Sequence, residues 1–284
     1  MLSYRHHYHA GNFADVFKHA ILVHLLRALQ RKERPLCVLE THAGAGRYDL
    51  HAEPARKNAE HRHGIGRFWG MPPAAPELAE YLNIVRSLNG ENTQHALRWY
   101  PGSPRILRTL LRQHDRLVLL EMHKSDHRLL KAEFSGDRQV AVHQGDGYAA
   151  LKAFLPPWER RGLVFLDPAY ERADEFQRLL DGVLLARQRW PTGVLAAWYP
   201  ILDRRPSAHF QQALRNAAIP GVLCVELGLF PYDAKLGMNG CGIIIINPPW
   251  RLDLTLEPLL SRLLDGLRRH GSGNARLEWL TGPS

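Results

Sequence analysis

Seven short apolar runs constrain the fold of this chain more than any other feature. They are Leu36-Cys37-Val38-Leu39-Glu40, Leu117-Val118-Leu119-Leu120-Glu121, Val140-Ala141-Val142, Leu163-Val164-Phe165-Leu166-Asp167, Val194-Leu195-Ala196-Ala197-Trp198, Val222-Leu223-Cys224-Val225-Glu226 and Ile243-Ile244-Ile245-Ile246-Asn247. Strands that are apolar at nearly every position are buried on both faces, as in parallel sheets covered by helices. Helical patterns separate most of them. The first runs from about Asp15 to Arg31, with Val16, Ala20, Val23, Leu26 and Leu29 at three- and four-residue steps, Asp15 near its start and Pro35 beyond its end. Others span Ser125 to Phe134, Gly147 to Phe154 and Phe176 to Trp190. The alternation predicts a doubly wound α/β sheet. Only Phe230-Pro231-Tyr232-Asp233 and Gly237-Met238-Asn239-Gly240 separate the last two runs. They are expected to pair as a hairpin, making the seventh strand antiparallel to the rest.

The stretch from about Asp49 to Tyr100 breaks the rhythm: it has no strand candidate, a proline cluster at Met71-Pro72-Pro73-Ala74-Ala75-Pro76 and a helical segment from Glu77 to Leu88. It reads as a small helical insertion at 49–100, between an opening segment at 1–48 and the remainder of the core at 101–284. A chain of 284 residues accommodates one such core plus an insertion. No run approaches the roughly 18 apolar residues of a membrane span, and the start is polar where a secretory leader is apolar. A cytoplasmic protein is expected, and nothing demands more than a monomer. Cys37, Cys224 and Cys241 lack metal-ligand spacing and read as buried, reduced core residues. The formal charge of +9 favours a polyanionic partner.

In an open parallel sheet, ligands bind beyond the carboxyl ends of the strands. Four of the runs deliver chemistry there. After the first comes Glu40-Thr41-His42-Ala43-Gly44-Ala45-Gly46, whose small residues, Gly44 among them, allow close backbone approach; Asp49 occupies the third glycine position of a dinucleotide fingerprint, which is therefore incomplete. The second ends at Glu121, suited to gripping a ribose diol. Beyond the third lies Gly145-Asp146-Gly147, where a carboxylate can accept from an adenine amino group. The fourth ends in Asp167-Pro168-Ala169-Tyr170. An adenosine bearing an amino-acid tail, as in S-adenosylmethionine, suits this set better than a dinucleotide, because no phosphate-binding helix start is present.

The fourth turn carries the parts for methylating an exocyclic amine. Such a nitrogen is a poor nucleophile because its lone pair is delocalised into the ring. A carboxylate (Asp167) and a carbonyl (Pro168) that accept its protons, with an aromatic face (Tyr170) that stacks the base, favour a tetrahedral nitrogen aligned for transfer. The turn resembles the (Asp/Asn)-Pro-Pro-aromatic motif of amino methyltransferases. Together with Met1-Leu2-Ser3-Tyr4-Arg5-His6, His9-Ala10-Gly11-Asn12, Asp15-Val16, Lys18-His19, Thr41-His42-Ala43-Gly44-Ala45-Gly46-Arg47-Tyr48, Tyr100-Pro101-Gly102-Ser103-Pro104 and Asn247-Pro248-Pro249-Trp250, it makes the chain similar, nearly end to end, to the RlmJ family of 23S rRNA (adenine-N6)-methyltransferases.

That resemblance implies a Rossmann-like class I methyltransferase fold, S-adenosylmethionine as cofactor and the adenine at position 2030 of 23S rRNA as substrate. It implies His19, His42, Ser103, Glu121, Asp146, Gly147 and Asp167 around the cofactor, Lys18 close to the same pocket, and Tyr4 against the RNA, with His6 as a further RNA contact. The departure is Ala169, where the family usually has a second proline; the change gives the turn more conformational freedom.

Asn247-Pro248-Pro249-Trp250 matches the motif more literally than the Asp167 turn. If the seventh strand is antiparallel, however, its carboxyl end emerges at the opposite rim, and the motif there only terminates a strand. His6, His7 and His9 are clustered without carboxylate or cysteine ligands at metal spacing, so no metal is expected. Arg160-Arg161, Arg204-Arg205 and Arg268-Arg269 read first as solvated surface and second as phosphate contacts. Two rival functions stay open: a non-catalytic RNA-binding protein with a vestigial cofactor fold, which Ala169 favours, and a DNA adenine-N6 methyltransferase, for which the insertion is small as a target-recognition region.

Overall fold

The computed structural model describes residues 6–70, 75–90, 96–231, 237–268 and 272–282. In chain order the main elements are α1 (Phe13–Gln30), β1 (Cys37–Glu40), β2 (Arg47–Asp49), α2 (Glu53–Asn58), α3 (Pro76–Ser87), β3 (Trp99–Pro101), α4 (Ser103–Leu110), β4 (Arg116–Glu121), α5 (Lys124–Glu133), β5 (Val140–Gln144) and α6 (Gly147–Phe154). They continue with β6 (Gly162–Leu166), α7 (Glu175–Arg189), β7 (Val194–Ile201), α8 (Arg204–Asn216), β8 (Val222–Gly228), β9 (Gly240–Ile246), α9 (Leu252–Leu267) and β10 (Asn274–Thr281).

One eight-stranded sheet in the order β10-β8-β9-β7-β6-β1-β4-β5 forms the centre. The pairs β5–β4, β4–β1, β1–β6 and β6–β7 are parallel, whereas β9 runs antiparallel to both β7 and β8. All seven expected strands are in the sheet, and the expected hairpin is β8–β9. The sheet corrects the count by one: β10 pairs antiparallel with β8 as an edge strand. Its sequence, Asn-Ala-Arg-Leu-Glu-Trp-Leu-Thr, alternates charged and apolar residues because its outer side has no neighbour, so it lacks the continuous apolar run that marks the others.

Burial on both faces accounts for the apolar strands. Val38, Leu117, Leu119 and Phe165 point to a layer that includes α1, α4 and α9, while Leu39, Val118, Leu120 and Val164 point to one formed by α6, α7 and α8. Helix α1 is buried around most of its circumference, including the polar residues Asp15, Lys18 and His19. Its N-cap is Asn12, whose side chain accepts from the Asp15 amide at 3.0 Å. Asp15 is thereby freed for other partners.

The stretch between β1 and β4 is mostly helical, but two three-residue strands, β2 and β3, pair antiparallel at its neck, where no strand was expected. Helix α3 packs on α1 and α9. The Tyr100 hydroxyl meets His19 Nδ1 of α1 at 2.8 Å as well as the Tyr81 hydroxyl at 2.9 Å, so this stretch is tied to the core.

Strand β6 enters the sheet through Gly162, at φ 147° opposite Cys37 of β1; a Cβ there would lie 1.8 Å from the Cys37 carbonyl oxygen. No side-chain movement relieves that clash. Gly162→Ala is expected to lower stability by several kcal/mol, on the order of 3 or more. Gly136→Ala, also at positive φ but with nothing within 4 Å, is expected to cost only about 1 kcal/mol. Urea unfolding midpoints of the two variants check the difference.

Candidate active site

The sheet reverses its winding direction between β1 and β6: from β1 the chain proceeds outward through β4 to β5, and from β6 through β7. Crevices form where two neighbouring loops diverge in this way. The loop after β1 and the Asp167 turn after β6 flank that point, and Glu121 and Asp146 follow β4 and β5 on the same rim.

The Asp167 carboxylate is held from outside the sheet. Lys18 Nζ on α1 lies 2.7 Å from Asp167 Oδ2 and 3.0 Å from Asp15 Oδ1, over the ring of Trp198 at 5.3 Å from its centroid. Asp15 Oδ2 accepts from the Gly11 amide at 2.8 Å and meets His6 Nε2 at 2.9 Å. Although burial opposes its charge, His6 and Lys18 hold the Asp15 carboxyl well below the usual range. Beyond Asp167, Pro168 is buried and Ala169 exposed. Tyr170 adopts the left-handed region (φ 53°); its hydroxyl donates to the Trp198 carbonyl at 2.9 Å and its ring packs against Phe176 and edge-on to Trp198. These anchors fix the turn that Ala169 leaves free.

Glu121 closes the other side of the β1 loop. Its carboxylate accepts the Gly44 and His123 amides, each at 2.7 Å, while burial raises its pKa. Gly44 makes that bond at φ 63°, which a side chain would strain. Asp146 is the N-cap of α6, accepting from the Tyr148 and Ala149 amides, and pairs with Arg178 at 3.0 Å. Gly147 approaches the β1 loop so closely that a Cβ would lie 2.0 Å from the Thr41 carbonyl. His42 Nδ1 meets the Thr41 hydroxyl at 2.8 Å, and its ring stands edge-on to Tyr148. Burial lowers its pKa to about 4, so the ring is neutral at pH 7.

Ser103, the first residue of α4, donates to Glu40 at the end of β1. Glu40 is fully buried, and burial lifts its pKa well above the usual range despite the Ser103 bond, with Asp167 and Glu121 adding to the rise. Sequence reading placed Glu40 in the loop without giving it a role; its position as the last strand residue was the available signal. His19 is 1% exposed and sits beneath the site, its Nδ1 2.8 Å from the Tyr100 hydroxyl and its ring stacked on that tyrosine. Burial lowers its pKa to about 3. Tyr4 lies outside the described residues. The histidine cluster is divided among three carboxylates: His6 with Asp15, His7 with Asp126 at 3.6 Å and His9 with Glu60 at 2.9 Å.

Asn247 lies at the far rim. Its amide donates to the Gly221 carbonyl before β8, and its side chain donates to the Thr192 carbonyl before β7. The more literal motif copy is therefore separated from Lys18, Glu121 and Asp146 by the length of the sheet.

A mostly parallel sheet with antiparallel β9 and β10, and carboxylates at the switch point, is the frame of a Rossmann-like class I methyltransferase. A family model described as ribosomal RNA large subunit methyltransferase D, RlmJ, matches residues 33–281. The chain is 41% identical over 280 residues to ribosomal RNA large subunit methyltransferase J of Escherichia coli, covering 99% of each. It is 39% identical over 281 residues to the protein of that name from Haemophilus influenzae, again covering 99% of each. The crystal structure of protein LPL1258 from Legionella pneumophila superposes with a TM-score of 0.86 at 35% identity, over 95% of this chain and 98% of that one. The chain belongs to the RlmJ family.

Two outcomes follow from these environments. Lys18→Met leaves the buried Asp15 and the part-buried Asp167 without their shared cation and is expected to cost about 3 kcal/mol of stability, read from urea unfolding. Separately, His19 and His42 have folded pKa values below their ordinary 6.5, so the unfolded chain binds protons that the folded chain refuses. Their stability contribution is complete above pH 6.5 and is lost as pH falls from there toward about 4 for His42 and about 3 for His19. For His19 the loss is up to about 1.4 kcal/mol per pH unit, and His19→Gln is expected to flatten the decline measured between pH 7 and about 5.

Proposed function

We propose that this protein transfers a methyl group from S-adenosylmethionine to the N6 amino group of an adenine in 23S rRNA, at position 2030 by its family membership. The observation that carries the reading is the Asp167 carboxylate at the switch point, fixed by Lys18 at 2.7 Å on the same rim as Glu121 and the glycine-bearing β1 loop.

The residues present fit the cofactor. Glu121 offers a carboxylate for a ribose diol beside the Gly44 loop, whose small residues admit close approach. His42, Ser103, Asp146 and Gly147 border the same crevice, with Lys18 and His19 beneath it. S-adenosylmethionine supplies an electrophilic methyl group. The protein's part is to make the adenine nitrogen able to accept it. Asp167 and the Pro168 carbonyl accept the amino protons, drawing the lone pair out of the ring, and Tyr170 offers its ring to the base. Lys18 keeps Asp167 in place while the base enters. No strong base is needed first, because the amino proton becomes acidic once nitrogen carries positive charge. A paired adenine must leave its helix to reach this rim. The net charge of +9 suits an RNA substrate.

The test is incubation with methyl-labelled S-adenosylmethionine and protein-free 23S rRNA, followed by mapping of the label. Wild type is expected to label one adenine at N6, Asp167→Ala to lose about 100-fold or more in rate, and Asn247→Ala to retain activity. Activity that survives Asp167→Ala and vanishes in Asn247→Ala overturns the site. Cofactor binding without transfer to any RNA favours the non-catalytic reading, and transfer to DNA instead favours the DNA methyltransferase.

A further inference from the structure

The rim opposite the proposed active site carries a basic, aromatic surface that methyl transfer does not use. Two tryptophans stand out there: Trp158, 93% exposed, and Trp250, 82% exposed. Single exposed apolar side chains are ordinary on a protein surface, but two indoles on one rim among cations form the pattern that nucleic-acid contacts use. Each follows a proline pair, in Pro156-Pro157-Trp158 before β6 and Pro248-Pro249-Trp250 after β9. Proline fixes φ, so both indoles are presented at low entropic cost. The second loop is further held by Asn247 at φ 55° and Arg251 at φ 59°, unusual values for residues with side chains.

Cations join the two indoles. Arg31, at the end of α1, reaches the Trp250 carbonyl at 3.5 Å. Arg161 donates to the carbonyls of Leu29 and Arg34, and Arg112 to those of Lys32 at 3.0 Å and Arg34 at 3.1 Å. These two guanidinium groups clamp the turn that displays Arg31, Lys32 and Arg34 to solvent, while Arg160 is exposed two residues from Trp158. Segments 31–35, 112–116, 158–161 and 247–251 hold eight Lys or Arg and three carboxylates. Asp115 is engaged by Arg112 and Glu159 by Arg116, which leaves Glu33 as the one carboxylate of these segments in no ion pair among the described residues. Burial and the neighbouring charges of Arg112 and Arg34 lower the Arg161 pKa although Asp115 opposes them, as expected where cations outnumber anions.

We propose that this rim is a second RNA-binding surface, on which unpaired bases stack on Trp158 and Trp250 and phosphates meet Arg31, Lys32, Arg34 and Arg160. Cationic side chains interleaved with exposed aromatic rings are the chemistry of single-stranded nucleic-acid binding. The inference rests on the rRNA reading of the active rim, because a large RNA is what can occupy both. The rims are separated by about one strand length, on the order of 20 Å, which a folded RNA spans and an RNA of about two or three nucleotides does not. The surface therefore grips the substrate away from the methylated base.

The test compares wild type with Trp158→Ala/Trp250→Ala and with Arg31→Glu/Arg34→Glu/Arg160→Glu, all exposed positions whose melting temperatures are checked for unchanged folding. With polyuridylate as probe, wild-type tryptophan fluorescence is expected to be quenched and the tryptophan variant to lose most of that response, with affinity lowered about 10-fold or more. The arginine variant is expected to lower the slope of log affinity against log salt by about one for each phosphate it no longer neutralises. This binding readout stands whether or not methyl transfer occurs. In the transfer assay both variants are expected to raise KM for full-length 23S rRNA about 10-fold at unchanged kcat, while leaving a short RNA carrying the target adenine unaffected. Unchanged polyuridylate and 23S rRNA binding in both variants overturns the proposal. So does an equal loss on the short RNA, which signals a structural role. Loss of affinity only for an assembled ribosomal particle overturns it too and assigns the surface to a protein partner.

Discussion

A single buried ammonium ties the first helix to the rim of the sheet. Lys18 stands between Asp15, on its own helix, and Asp167, at the end of β6. Taking these charges out of water is costly, and the arrangement persists because each is met by another and by further partners: the Gly11 amide and His6 donate to Asp15, and the Trp198 ring face lies beneath the Lys18 cation. The same contacts set the depth at which α1 lies on the sheet. They hold the carboxylate at the end of β6, and they tie His6 to the same helix through Asp15.

The winding of the sheet gives the molecule two unlike rims. At the carboxyl rim, acidic side chains follow β1, β4, β5 and β6, and burial or helix capping occupies much of their capacity: Glu40 with Ser103, Glu121 with two amides, Asp146 with the start of α6. At the amino rim the chain enters the strands through turns rich in arginine, two of which brace the end of α1 through backbone carbonyls. The antiparallel β9 carries Asn247-Pro248-Pro249-Trp250 to that second rim. Strand direction therefore decides which copy of a four-residue motif lies beside the switch point of the sheet.

Much of this was legible from residue order. Buried strands need apolar residues on both faces, so the seven core strands stood out, and the missing helix between β8 and β9 implied the hairpin. Strand β10 escaped because an edge strand has fewer neighbours to satisfy: Arg276 and Glu278 alternate with Leu277 and Trp279, and Arg276 turns inward to the buried Glu226. The two strands at the neck of the inserted stretch are too short to carry a pattern. The sequence singled out His19, but not that its Nδ1 would turn to Tyr100, a residue 81 positions away.

The order of residues alone determined the strands, the covering helices and the acidic or glycine-bearing turn that follows each core strand, because burial and chain reversal act on neighbours along the chain. Tertiary structure alone decided that Lys18 grips Asp167 across 149 positions, that Tyr170 steadies a turn lacking its second proline, and that Trp158 and Trp250 share one rim. Those relations depend on strand order and direction, which place distant side chains together and which no local pattern encodes.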